Sequence, residues 1–317
     1  MRTLRIAETE LDVSALCCGA GPFGPAVSRE QTDRLYGDFR QAGGNFFDSA
    51  HCYAFWIEGG LGACERNLGQ CIRRHGDSGK VVIATKGGHP DGGPKYRRPE
   101  LYLAPEVLAS DIGESLDRLG MGCIDLYLPH RDDSRVPVGE IIDALNAEIA
   151  RGRLRYLGAS NWSTARIAQA NEYAASRGLR GFVASQVQWS LAHPNAAPPA
   201  SDLDTRHLTE EDAAWHAGSK LAVMAYSPTA CGYFATGGES AKQSFDNPTS
   251  RLRLERARHL AGEMGRTANQ VALAYLTCQD FPAIPILGTR NPEHLNDALG
   301  AADVCLSPDQ VRRLRQG

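Results

Sequence analysis

The run NFFDSAHCYAFW, residues 45–56, carries an apolar segment directly into Asp48 and places a phenol, Tyr53, five positions later. Read alone it is a strand ending in a turn, since Asp is a common turn residue. Its neighbours give it more weight. VVIATK (81–86) ends on Lys86, and CIDLYLPH (123–130) ends on His130. Five further runs share the same apolar, β-branched composition: LCCGAG (16–21), RYLGAS (155–160), GFVASQVQ (181–188), LAVMAYS (221–227) and PAIPILGT (282–289). Eight such runs read as strands buried on both faces.

Helix-length segments lie between them. Ser28 with Gln31, and Thr267 with Gln270, have capping-box spacing. Ser163 can cap a helix, Pro105 can occupy a first helical turn, and Gly120 suits a C-terminal end. Alternating strands and helices imply parallel strands with right-handed crossovers. Eight units predict an α/β fold, a (β/α)8 TIM barrel, with the first dozen residues adding a short N-terminal hairpin. Nothing resembles a linker, so residues 1–317 are expected to form a single domain. The Gly- and Pro-rich stretches at 87–99, 192–204 and 228–248 read as long strand-to-helix loops.

Composition narrows the function. Of 317 residues, 42% are apolar and 22% charged, as in soluble globular proteins. A net charge of −3 gives no reason to expect nucleic acid or an acidic membrane surface. MRTLRIAETELDV has no apolar run of signal-peptide length, and no run approaches the roughly 18 apolar residues of a spanning helix. The nine cysteines are scattered without C-x-x-C, which favours reduced thiols and a cytoplasmic location. No H-x-H or H-E-x-x-H occurs, so no metal is expected.

Functional groups in such barrels gather at the C-terminal ends of the strands. Asp48, Lys86 and His130 end three consecutive strands, and Tyr53 follows the first on its loop. All four are expected at one mouth. Two plainer readings stay open, a buried Asp48–Lys86 ion pair and a core histidine at 130.

NFFDSAHCY, GACERNLGQCI, VVIATK, IDLYLPH, LGASNWS, SQVQWSL, AYSP and ILGTRNPEHLNDALGA, in this order, resemble the aldo-keto reductases over nearly the entire chain. The resemblance implies NADPH-dependent, sometimes NADH-dependent, reduction of carbonyls to alcohols. It also implies a catalytic set of Asp48, Tyr53, Lys86 and His130. A free tyrosine, with pKa near 10, is a reluctant proton donor. An adjacent ammonium stabilises the phenolate. Lys86 is the candidate, Asp48 would hold it charged, and His130 could donate a hydrogen bond to the carbonyl oxygen.

For the cofactor, the resemblance places Ser160, Asn161 and Gln186 at the nicotinamide amide and Tyr226, with Ser227, against its ring. Asn161 as a turn residue and Tyr226 as a core aromatic remain alternatives. Thr289, Arg290 and His294 border a helix start where Asn291 and Pro292 suit the cap and first turn, a setting that favours phosphate. Ala298 and Gly288 stand where many relatives carry Asn and some carry Lys. These departures weaken the case for strict NADP preference without removing it, so NADP(H) is expected, with NAD(H) possible.

Trp56, Arg131 and Trp162 are candidate substrate walls. Tyr96, Arg98 and Tyr102 in the loop after Lys86 add polar and aromatic groups, although Arg97 and Arg98 equally read as solvated loop charges. Flat aromatic faces with polar groups suit a sugar or other polyol carbonyl as the small-molecule partner. The other class of function is a cofactor-sensing binding protein on the same fold, like the channel β subunits.

Overall fold

The computed structural model describes residues 1–195, 201 and 204–316. The chain opens with a two-stranded antiparallel hairpin, β1 (Thr3–Arg5) against β2 (Asp12–Ser14). Eight parallel strands follow: β3 (Cys17–Gly19), β4 (Phe46–Asp48), β5 (Val82–Gly87), β6 (Ile124–Pro129), β7 (Leu154–Ser160), β8 (Phe182–Gln188), β9 (Ala222–Tyr226) and β10 (Ala283–Leu287). They form a closed barrel in which β10 lies between β9 and β3, with Ile286 opposite Cys17. Each strand overlaps one of the eight apolar runs. The (β/α)8 barrel and its hairpin are thus as the sequence predicts.

Strand alternation sends successive side chains to opposite faces of the sheet. Phe46, Ala84, Leu126, Ala184, Met224 and Ile284 share one buried cluster with Ile6, Leu11 and Val13 of the hairpin region. The hairpin therefore stoppers the N-terminal end of the barrel. Asn45, just before β4, fixes it there: its Oδ1 accepts from Ser14 N at 2.7 Å. On the opposite faces Phe47, Ile83, Tyr127 and Leu157 pack in a second cluster with Leu35, Leu68, Ile112 and Leu145 of the surrounding helices. Fully burying each such side chain contributes about 1.5–3 kcal/mol.

Helix caps follow the sequence with one difference. Ser163 caps the helix Thr164–Ser176, and Thr267 with Gln270 completes a capping box. Ser28 accepts from Gln31 N, but the Gln31 side chain does not close the box. Its Nε2 donates to Arg290 O at 2.5 Å, tying the first barrel helix to the loop after β10. The loop expected at 228–248 contains a 3-10 turn, Ala230–Gly232, and a one-turn helix, Lys242–Phe245. Residues 196–200 and 202–203 of the expected 192–204 loop lie outside the described residues. Among the described residues, no helix is long and apolar enough to cross a membrane.

Candidate active site

The barrel brings Asp48, Tyr53, Lys86 and His130 together at its C-terminal end. β4 pairs with β5 and β5 with β6, so their ends share one sector of the mouth. Asp48 closes β4. Lys86 follows Ala84 by two residues and so repeats its interior-facing direction. The ammonium is fully buried. It donates to Asp48 Oδ1 and Oδ2, at 2.8 and 2.7 Å, and to the Ser49 carbonyl at 2.6 Å. Its Nζ stands 4.9 Å from the centre of the Tyr53 ring. Burial works against the Lys86 charge, but the Asp48 carboxylate and Tyr53 together more than offset it, holding the ammonium above its ordinary range.

The phenol departs from the simplest expectation. Lys86 pulls the Tyr53 pKa down, but burial pushes it up by more, so the net shift is upward. Tyr53 is a protonated phenol with a cation beside it. His130, just past β6, makes a T-shaped contact with Tyr53 at 5.9 Å between ring centres. Burial first, then the neighbouring His89, Lys86 and Arg131, keep its imidazole neutral. Its Nδ1 lies 3.3 Å from Cys52 Sγ, and burial holds that thiol protonated, with a pKa of about 12. Imidazole nitrogen is the better acceptor, so the thiol donates to Nδ1 and the ring hydrogen resides on Nε2.

Ser160, Asn161 and Gln186 lie on the adjoining sector and are buried. Asn161 Oδ1 accepts from the Tyr226 hydroxyl at 2.8 Å and from Arg206 N at 3.1 Å. Its Nδ2 donates to Ser160 Oγ and to the His130 carbonyl. Gln186 Nε2 donates to Asp48 Oδ1 at 2.8 Å, which joins the expected cofactor group directly to the ion pair. Ala54, Asn161 and Ser227 adopt left-handed backbone, with φ of +66°, +60° and +53°. Such conformations persist where surrounding structure imposes them.

A cleft of about 220 Å³ runs from Asp48 and Tyr53 past Gly19, Tyr226 and Ser227 to Gly288. Thr289 and Arg290 come next, then the helix Pro292–Leu299. Asn291 caps that helix, its Oδ1 accepting from Glu293 N at 2.8 Å. The Arg290 and His294 side chains are exposed and have no polar partner among the described residues. A tethered aromatic ring at one end, with a guanidinium and a capped helix start at the other, is a donor set that fits a nicotinamide dinucleotide. A separate cavity of about 410 Å³, near Trp189 and Arg253, shares no residue with this cluster.

The substrate candidates divide. Trp56 is 57% exposed at the rim, edge-on to Phe55. Arg131 is half-buried and donates to the His130 carbonyl at 3.1 Å. Trp162 is not a pocket wall. It is 2% exposed, packed edge-on to Phe182 with Arg166 over its ring. Tyr96 and Tyr102 are likewise buried, and Arg98 is bound to Asp111 rather than solvated. The sequence reading gave no role to Cys52 or to His89, whose ring centre lies 4.9 Å from that of His130. Their closeness to Tyr53 and Lys86 in the chain was the available signal.

The model of the Aldo/keto reductase family matches residues 15–316. The chain belongs to the aldo/keto reductase family. It is an NAD(P)H-dependent oxidoreductase of small carbonyl compounds, with NADP(H) as the family's cofactor. It is 30% identical to an uncharacterized oxidoreductase, YrpG, of Bacillus subtilis, over 98% of this chain and 93% of the relative. Norsolorinic acid reductase B of Dothistroma septosporum is 26% identical over 95% of this chain and 77% of its own length. The aldo-keto reductase yakc of Schizosaccharomyces pombe, whose name specifies NADP(+), is 26% identical over 93% of this chain and 84% of its own.

The neutral histidines at this aldo/keto reductase site carry a pH signature. The His89 pKa is depressed from an ordinary 6.5 to about 4, chiefly by burial. His130 is depressed as well. Between those values the unfolded chain binds protons that the folded chain does not, so stability falls as pH drops from 6.5 towards 4. Urea titrations across that range are expected to show the loss, and a smaller one in His89→Phe. An equal slope in the variant would remove His89 from the account.

Proposed function

We propose that residues 1–317 act as one catalytic domain that reduces the aldehyde or ketone of a small, hydroxylated, sugar-like compound to its alcohol, or runs the reverse. Tyr53 serves as the proton donor. The observation that carries this reading is the buried Lys86 ammonium, held by Asp48 on one side and facing the Tyr53 ring on the other. A buried ion pair that served packing alone would have no use for a phenol beside it.

Ser160, Asn161, Gln186 and Tyr226 would hold a nicotinamide, which would supply the hydride for the carbonyl carbon. Tyr53 gives its phenolic proton to the carbonyl oxygen, and Lys86 stabilises the phenolate that remains. Asp48 keeps Lys86 charged and aimed. His130, with hydrogen on Nε2, donates to the same carbonyl oxygen and offsets the charge that grows there. Trp56 at the rim and Arg131 beside His130 support a substrate with flat and polar faces. Nine free cysteines, most of them buried, agree with a reducing cytoplasm. The test is NADPH oxidation with glyceraldehyde, simple aldoses and unsubstituted aldehydes of equal length. Turnover favouring the hydroxylated set is expected. Cofactor binding without turnover of any of them would favour a cofactor sensor and sink this reading.

Arg290 bears on cofactor choice. Its exposed guanidinium, beside the capped helix start, would meet a 2′-phosphate, which only NADP(H) carries. A charge-assisted hydrogen bond contributes about 1.5–3 kcal/mol, or roughly ten- to a hundredfold in affinity. Arg290→Ala is expected to weaken NADPH binding by that factor and leave NADH nearly unchanged, read by paired fluorescence titrations. Equal losses for both cofactors would assign Arg290 to the loop rather than to the phosphate.

A further inference from the structure

His89 lies three residues past Lys86, and three aromatic rings fix its orientation. It is edge-on to His130 at 4.9 Å between centres, edge-on to Tyr96 at 5.8 Å and tilted against Phe55 at 6.1 Å. Its depressed pKa leaves the ring neutral near pH 7, with a single N–H. Nδ1 stands 2.9 Å from the Pro90 carbonyl oxygen. A carbonyl oxygen only accepts, so the hydrogen sits on Nδ1. Nε2 is therefore a bare lone pair. No donor among the described residues meets it, and the residue is only half-buried, so the nitrogen is not sealed off. The site thus holds a rigid acceptor beside the imidazole that faces the reacting carbonyl.

We propose that His89 reads a hydroxyl group on the carbon next to the reacting carbonyl, so that the enzyme selects α-hydroxy aldehydes and ketones. The proposal rests on the carbonyl-reductase reading above and names its substrate class. The His89 ring centre lies 4.9 Å from that of His130, so a carbonyl oxygen held between Tyr53 and His130 would bring its adjacent carbon towards the His89 ring. A hydroxyl on that carbon can donate to Nε2. A hydrogen atom there leaves the lone pair unpaired, and a second carbonyl oxygen sets lone pair against lone pair. The preference therefore runs hydroxyl, then hydrogen, then oxo.

Lactaldehyde, propanal and methylglyoxal form that series on one three-carbon frame. Their kcat/KM with NADPH would be measured for the wild type, His89→Phe and His89→Gln. Comparing substrate ratios between proteins cancels the intrinsic reactivity and hydration of each aldehyde. In His89→Phe the lactaldehyde-to-propanal ratio should fall roughly three- to tenfold, the worth of one neutral hydrogen bond. The methylglyoxal-to-propanal ratio should rise. His89→Gln restores an acceptor and should keep most of the wild-type ratio, which a merely structural role would not produce. Unchanged ratios in His89→Phe, or equal losses on all three aldehydes, would overturn the role of His89 while leaving the reductase reading intact. No turnover of any aldehyde by the wild type would overturn both.

Discussion

Tyr53→Phe should lose roughly 10²–10⁴-fold in turnover, the usual contribution of a general acid. The substitution removes one oxygen and keeps the ring. The contact between Lys86 and the ring face survives, since Phe offers the same face to a cation. The T-shaped contact with His130 also survives. Stability and NADPH affinity should therefore stay close to wild type, and the loss should lie in kcat. Single-turnover kinetics with saturating NADPH would separate the two. A variant that kept more than about a tenth of wild-type turnover, against that expectation, would need a different proton donor.

Lys86→Met should be the most damaging single change to the fold and the site together. It leaves the Asp48 carboxylate buried, with Gln186 Nε2 as its remaining side-chain donor among the described residues. Breaking a buried pair from one side costs about 3–5 kcal/mol. For a chain of this size that is a fall in Tm on the order of 5–10 °C. Turnover should also drop, by roughly 10²–10³-fold, as when one preorganised charge-stabilising donor is removed. The pH response has a definite sign. Lys86 is the foremost influence lowering the Tyr53 pKa against burial, so its loss lets the phenol rise further. Any alkaline decline in the reduction rate should move to higher pH. The double variant Asp48→Asn/Lys86→Met removes both charges and should recover stability without recovering rate. Full activity and an unshifted pH profile in Lys86→Met would reduce the pair to a structural one.

The strands were legible because barrel strands are buried on both faces, so each appears as an unbroken apolar run between turn residues. Asp48, Lys86 and His130 were legible for a topological reason: each closes such a run, and parallel strands bring their ends together. Trp162 was misread because residues just past a strand end look alike in sequence, whether they face the mouth or the helix layer. Its packing against Phe182 and Arg166 sends it to the latter. Tyr96 and Arg98 were ambiguous for a similar reason, since the buried Asp111 that holds Arg98 lies 13 residues further on. Cys52 and His89 were marked only by their closeness to Tyr53 and Lys86 in the chain, because their place depends on hydrogen bonds and ring contacts that the chain order does not contain. The upward shift of Tyr53 was equally hidden. It is a balance between burial and a neighbouring cation, and only the depth of the site shows which prevails.

Closure of the barrel has a consequence for synthesis of the chain. Cys17 of β3 finds its partner, Ile286 of β10, roughly 270 residues later. At about 5–20 residues per second that interval lasts on the order of a quarter-minute to a minute. Throughout it β3 presents an open sheet edge, the kind that recruits other strands. Ile6, Leu11 and Val13 wait as well, because the cluster they fill includes Ile284 of β10. These residues, which precede the barrel strands in the chain, are thus among the last to be protected from water. Chains released before Ala283 should aggregate rather than adopt a partial barrel, and chaperones that shield nascent apolar segments should matter more to this protein than its finished stability suggests.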